Sequence, residues 1–297
     1  MARAQRSTVA RRDLARHDRF EELSPEVGEL DEVAVDAAMA DDPDDVLGLL
    51  ADMSRATDPA LRDLARRLAG RLVVDVARCG PTRERGVGRI ETTRFEPDAG
   101  DVDLDASTEA IVEARAAGGA VDPERLQVRR WVRPRTALCL LVDRSGSMQG
   151  RPLATSAVAA AAAALRCQSQ DYSVVAFAGD AVALKSQDGA VPVELVVDRV
   201  LTLRGKGTTD LAGALRLAAG QLARSTAGRK VVVVLSDCRA TEPGDVAAAA
   251  AALDELVIVA PAGDDEDARR LAREVGAPIA VVAGPSEVPA AFAHLLG

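Results

Sequence analysis

Ala137-Leu138-Cys139-Leu140-Leu141-Val142-Asp143-Arg144-Ser145-Gly146-Ser147-Met148 sets an unbroken apolar run against a carboxylate and two hydroxyls, each two residues apart. An apolar run without alternation is the pattern of a strand buried on both faces. Working outward, strand-like runs recur at 173–177, 230–235, 255–260 and 278–282, several of them unbroken Val/Leu/Ile. Segments of helical character at 153–167, 193–201, 211–225, 245–253, 265–275 and 289–296 lie between and after them. This alternation predicts an α/β fold: a doubly wound, mostly parallel, Rossmann-like sheet covered by helices on both sides. Gly179-Asp180, between two apolar runs, predicts one antiparallel hairpin near an edge.

The sheet region is expected to span 126–297, preceded by a mainly helical region at 24–125 and a basic arm at 1–23. In the helical region Ser24-Pro25, Asp42-Pro43 and Asp58-Pro59 each place a capping side chain before a first-turn proline. Leu61, Leu64, Leu68, Leu72 and Val76 then recur at helical spacing as a packing stripe, which Cys79-Gly80-Pro81 ends. A short strand is expected near 90–95 and a helix at 107–117. The arm carries Arg3, Arg6, Arg11, Arg12, Arg16 and Arg19. It reads either as a solvated basic arm or as a docking arm for an acidic partner or nucleic acid.

The chain has 297 residues, enough to bury a sizeable core, and 48% of them are hydrophobic against 28% charged, a globular balance. Only 2% are aromatic, so the core must be Ala, Val and Leu. A net charge of −9 disfavours a general nucleic-acid or acidic-membrane binder. The longest uncharged stretch, 152–165, is shorter than the roughly 18 residues of a membrane span. The N-terminus lacks an apolar signal core, and the protein is expected in the cytoplasm. Cys79, Cys139, Cys167 and Cys238 lack CxxC spacing, which argues for small reduced core residues rather than a disulfide framework or a zinc site.

In sheets of this kind ligands bind beyond the carboxyl ends of the strands, at the switch point. Asp143, Ser145 and Ser147 follow the first strand, Ser236-Asp237 follows the run at 230–235, and Gly205-Lys206-Gly207-Thr208-Thr209-Asp210 delivers hydroxyls before a helix. Alternate residues of an extended loop point the same way, so Asp143, Ser145 and Ser147 can converge. Hard oxygen donors without nitrogen or sulfur suit Mg²⁺, Mn²⁺ or Ca²⁺. The competing reading has each Asp and Ser merely capping the next helix.

From about Arg130 onward the chain resembles a von Willebrand factor type A (VWA) domain, and its three loops resemble that family's metal-ion-dependent adhesion site. Asp143, Ser145 and Ser147 match the Asp-x-Ser-x-Ser motif; Thr209, with Leu211, Ala214 and Leu215 following, matches the family threonine; Asp237 matches the aspartate after the central strand. The resemblance implies metal binding by Ser145, Ser147 and Thr209, with Asp143 and Asp237 direct or through water, and an open position for an Asp or Glu of a partner protein. It departs where many members have Gly and this chain has Cys238, read as a small buried residue or a redox-sensitive neighbour. Arg144 is read as a rim residue or a solvent-facing one.

The helical N-terminus followed by Gly100-Asp101-Val102-Asp103-Leu104-Asp105 is similar to bacterial CoxE-like accessory proteins. Those relatives, and the D subunits of magnesium and cobalt chelatases, work with AAA+ ATPases of the MoxR or chelatase type. The resemblance therefore implies an accessory role in protein remodelling or metal-cofactor insertion, and not an enzyme.

The residues argue against other chemistries. Val200 stands where a GxxxxGK[ST] phosphate loop needs its first glycine, and Gly86-Val87-Gly88 lacks the third glycine of a dinucleotide site. The GxSxG elbow is absent, and the only histidines, His17 and His294, are read as solvent-facing rather than as bases for a strand-end serine. A metal-assisted hydrolase using the same loops is the alternative.

Overall fold

The computed structural model describes residues 8–78, 89–95, 101–132, 135–146, 150–167, 171–205 and 207–296. It divides into two compact units, one of Met1–Arg83 with Thr136–Gly297 and a second of Glu84–Arg135.

The first unit opens with helices α1 (Arg11–Leu14), α2 (Phe20–Leu23), α3 (Glu32–Asp41), α4 (Pro43–Met53) and α5 (Pro59–Arg78). Asp42 caps α4 by accepting from Asp45 N at 3.0 Å, and Asp58 caps α5 by accepting from Ala60 N at 2.8 Å, both as expected before a proline. Ser24-Pro25 does not start a helix. Ser24 ends α2, its hydroxyl donates to Glu29 O at 2.8 Å, and Gly28 takes a left-handed φ of 81°. The next helix is capped instead by Asp31, which accepts from Val33 N. Within the expected basic arm, Leu14, Phe20 and Leu23 are buried. Arg11 bonds to Ser24 and lies over the Phe20 ring, while Arg19 pairs with Asp41. From Val9 onward this stretch is folded rather than a solvated tail. Cys79 and the punctuation after it lie outside the described residues.

The second unit contains β1 (Arg89–Arg94), β2 (Asp101–Val102), α6 (Leu104–Ala116) and β3 (Gln127–Val132). Its strands form an antiparallel sheet in the order β1-β3-β2. Asp103 caps α6 through Ala106 N, and its other oxygen accepts from Thr92 Oγ1 at 3.0 Å and Arg129 Nε at 2.8 Å.

The first unit continues with β4 (Thr136–Asp143), α7 (Arg151–Arg166), β5 (Tyr172–Phe177), β6 (Ala181–Lys185), α8 (Val193–Leu201), α9 (Leu211–Leu222), β7 (Arg229–Leu235), α10 (Val246–Ala251), β8 (Glu255–Pro261), α11 (Glu266–Val275), β9 (Ile279–Val282) and α12 (Val288–Leu296). The sheet order is β6-β5-β4-β7-β8-β9, parallel throughout except for the antiparallel edge pair β5–β6. Both faces are buried, as the unbroken runs require. Leu138, Leu140 and Val142 of β4 enter one apolar cluster, with α7, α8 and α12; Ala137, Cys139 and Leu141 enter the other, with α9, α10 and α11. The sheet is thus doubly wound.

Helix α7 accounts for the alanine-rich uncharged stretch. It packs on β4 and β5 on one side and against α4 and α5 on the other, and residues 157–163 are essentially inaccessible. A helix apolar all round is one that is buried all round. Alanine combines the highest helix propensity with the smallest bulk, which suits a helix held between two layers. A Cβ on Gly48 of α4 would stand 3.1 Å from Arg151 N, a measure of how closely α4 approaches the start of α7. Among the described residues no helix is long and apolar enough to cross a membrane.

At the β6 edge Lys185 is turned inward and 1% exposed. Its ammonium donates to Tyr172 O at 2.5 Å and Ser186 O at 3.2 Å, and sits 4.1 Å over the Tyr172 ring. The β5–β6 register shifts at Val174/Val175.

Candidate metal centre

Strand β4 leaves one way to α7 and β5, while its other neighbour β7 returns from the far side, so the sheet order reverses between β4 and β7. A crevice at such a point is where ligands of open α/β sheets sit. The parallel register pairs Val142 with Leu235, which carries Asp143 and Ser236 to the same level at the strand ends.

There the Ser236 hydroxyl donates to Asp143 Oδ2, and Asp143 Oδ1 accepts from Ser145 N at 2.7 Å. Burial pushes the Asp143 carboxyl above the usual range and neighbouring Asp237 adds repulsion, while the Ser236 and Ser145 hydrogen bonds act the other way. Asp237 accepts from Arg239 N at 2.9 Å, which shapes the turn after β7.

Thr209 is 2% exposed. Its N–H donates to Thr241 Oγ1 at 2.7 Å and its carbonyl accepts from Thr241 N and Glu242 N, binding its loop to the segment after β7. Asp210 N donates to Ala178 O at 2.7 Å, binding the same loop to the segment after β5. Thr209 is therefore held across the end of β4, between the loops of its two neighbours. Asp210 itself caps α9 through Gly213 N at 2.7 Å, so here the capping role holds, but for the residue after the threonine. Ser147 and Lys206 lie outside the described residues.

The donors fit a hard divalent cation. Asp143 and Asp237 are adjacent like charges, and among the described residues neither forms an ion pair within 4 Å. The Thr209 hydroxyl makes no hydrogen bond among the described residues. Among the described residues no three His, Cys, Asp or Glu side chains gather at one point. His17 Nε2 lies 3.3 Å from Asp45 in the helical layer, and His294 is exposed on α12.

Arg144 is not solvent-facing. It is 8% exposed, its N–H donates to Phe177 O at 2.8 Å, and its guanidinium pairs with Asp180 at 2.5 Å, fastening the loop to the β5–β6 turn. Two supporting residues gain their roles only in the structure, Ser236 and Thr241. A hydroxyl immediately before the strand-end aspartate was the available signal for the first; nothing marked the second.

Cys238 is buried and has φ 60°, the one described non-glycine residue with a positive φ. A side chain there costs about 1–2 kcal/mol, which explains why glycine suits the position. We expect Cys238→Val, with a branched Cβ in that conformation, to lose at least about 2 kcal/mol in urea unfolding. Cys238→Gly trades relieved strain against a lost buried thiol and is expected to stay within about 1 kcal/mol of wild type. Equal losses for both would show that backbone conformation does not govern this position.

Residues 74–294 match the model of the VWA domain containing CoxE-like protein family. The chain belongs to that family. Solved structures similar to this CoxE-like chain include proximal thread matrix protein 1 from the mussel byssus (11% identity, 52% of this chain, 46% of that chain, TM-score 0.41). A von Willebrand factor type A protein from Catenulispora acidiphila is 17% identical over 54% of this chain and 42% of its own, with a TM-score of 0.42. The manganese-loaded TRAP protein of Plasmodium vivax is 15% identical over 54% of this chain and 72% of its own, with a TM-score of 0.43. The CoxE-like chain spans less than half the length of the first two. No curated protein matches it.

Proposed function

We propose that this CoxE-like protein is a metal-dependent protein-recognition module of the cytoplasm. In this reading it holds Mg²⁺, Mn²⁺ or Ca²⁺ with Asp143, Ser145, Ser147, Thr209 and Asp237, and serves an AAA+ ATPase of the MoxR or chelatase type. The observation that carries it is the meeting of Asp143 and Asp237, without an ion-pair partner among the described residues, at the reversal point of the sheet. The family membership supports the accessory role.

A bound divalent ion would supply concentrated positive charge and a coordination position for a partner's Asp or Glu. The chain's own residues do the rest. Ser236 and Ser145 orient the Asp143 carboxylate, Thr241 and Ala178 fix the loop carrying Thr209, and Asp180 fastens Arg144. A partner carboxylate loses its hydration on entering and is favourable there only when metal-paired, so recognition depends on the ion. Among the described residues neither His17, paired with Asp45, nor His294, exposed on α12, bonds to Ser145, which favours recognition over catalysis.

The test is thermal melting with Mn²⁺ alongside affinity capture with Mg²⁺ or EDTA. At one hundred times its dissociation constant a bound ion stabilises the fold by about 2.7 kcal/mol, so Mn²⁺ should raise the Tm of wild type. Asp143→Asn removes the repulsion between the two carboxylates. It should melt no lower than wild type without metal, and should not respond to Mn²⁺. An AAA+ ATPase retained by wild type with Mg²⁺ only, and not by Asp143→Asn, would support the accessory role. An unmoved wild-type Tm at saturating Mn²⁺ would sink the metal reading. Metal-dependent ester turnover lost in Asp143→Asn would move the function to hydrolysis.

A further inference from the structure

The turn after β7 carries an arginine whose two ends belong to different neighbours. Arg239 donates its N–H to Asp237 Oδ1 at 2.9 Å, which sets the start of its side chain beside that carboxylate. The guanidinium goes instead to the segment after β8, where Nη2 donates to Asp264 Oδ1 at 2.7 Å and Nε to Asp267 Oδ2 at 3.3 Å. Among the described residues Arg239 makes no other ion pair. The side chains of Arg239 and Asp264 are 59% and 53% exposed, so the two aspartates rather than surrounding packing hold the guanidinium. Of the neighbouring carboxylates, Asp265 is taken by Arg269 at 2.6 Å, and Asp267 is shared with Arg270 at 2.6 Å. The bond to Asp267 and the charges of Asp264 and Asp237 hold Arg239 above the ordinary arginine range, so the guanidinium already feels the crevice carboxylate.

We propose that Asp264 and Asp267 are positioning residues that withhold Arg239 from the crevice, and that Arg239, once released, is an internal competitor for the cation. The inference rests on the reading of the crevice as a divalent-cation site. Asp143 and Asp237 repel each other, and a positive charge of either kind relieves them. A guanidinium fork matches a carboxylate, and an arginine stem that starts beside Asp237 is long enough to fold back onto it. Tethered, it leaves the carboxylates to the ion; free, it makes the ion displace an ion pair before binding. Exposed pairs are individually weak, so the effect on affinity is severalfold rather than orders of magnitude.

The full chain is titrated with Mn²⁺, free ion being read by electron paramagnetic resonance. The variants are Asp264→Asn with Asp267→Asn, Arg239→Ala alone, and all three together. The paired asparagines keep the size of the aspartates and lose the charge that holds the guanidinium. That paired variant is expected to bind Mn²⁺ about fivefold more weakly than wild type. Arg239→Ala keeps the N–H to Asp237 and should bind at least as tightly as wild type. The triple variant should return to within about twofold of Arg239→Ala. This rescue separates a tether from a plain loss of negative charge near the ion, which would weaken binding equally with or without Arg239. Unchanged affinity in the paired variant, or the same loss in both backgrounds, overturns the inference while leaving the cation reading standing. A wild type that binds no Mn²⁺ overturns the cation reading itself and the inference with it.

Discussion

Replacing Ala160 by Leu is expected to cost about 3 kcal/mol, the upper part of the range for inserting methylenes into a packed core. Most buried alanines have some side on which a larger residue can find room. Ala160 has none, because α7 is covered by β4 and β5 on one face and by α4 and α5 on the other. The added side chain must move either the sheet or the helical layer, and close-packed interiors resist both. Against a total stability of about 5–15 kcal/mol this is a large fraction. The check is urea unfolding beside Leu165→Ala on the same helix, where the side chain is 38% exposed and the expected loss is under about 1 kcal/mol. Comparable midpoints for the two variants would mean that α7 is not held between layers.

Stability is also expected to fall steeply on the alkaline side. Burial raises the thiols of Cys139, Cys167 and Cys238 to about 12, and burial likewise raises Tyr172 to about 12. Unfolded thiols ionise near 8.5 and tyrosine near 10. Below those values native and unfolded chains hold the same protons and the contribution is fully present. Above about pH 9 the unfolded chain releases thiol protons that the native chain keeps until about pH 12, so stability declines as pH rises through that window. Each group contributes about 1.4 kcal/mol per pH unit, and three thiols together about 4 kcal/mol per unit. Lys185, lowered by burial, has the opposite sign below 10.5, but it is one group against three. Urea midpoints from pH 8 to 10.5 should therefore drop, and Cys139→Ala should flatten the slope by about a third. A level profile would contradict the assignment of these thiols to the closed interior.

The sheet domain was legible because its physics is local. Strands buried on both faces must be apolar through their middles, and β4 over 137–142, β7 over 231–235 and β8 over 256–260 are. The strand ends that carry oxygen donors could be named from sequence, and the structure sets those of β4 and β7 side by side, with Asp237 near enough to Asp143 to repel it. What stayed illegible depends on distant partners. Strand β3 begins in the expected sheet region, yet it pairs with β1 and β2 in the second unit, and nothing in Gln127-Val128-Arg129-Arg130 names its partner. Ser24-Pro25 carries the same capping pattern as Asp42-Pro43, but its hydroxyl is occupied by Glu29 O and by Arg11. Arg144 looked free beside a metal motif until the β5–β6 turn brought Asp180 to it. Arg239 carried no signal of its tether, since both its partners come from beyond the next strand.

The inward turn of Lys185 has a consequence at the rim of the sheet. An edge strand offers unpaired amides and carbonyls to any extended chain that drifts alongside, the first step toward sheet-to-sheet growth and aggregation. On β6 an incoming strand would meet an irregular register against β5 and would seal a buried ammonium further from water. Removing the charge, as in Lys185→Met, would open that border to strand addition. The cation that steadies Tyr172 thus also helps keep one molecule's sheet from continuing into the next.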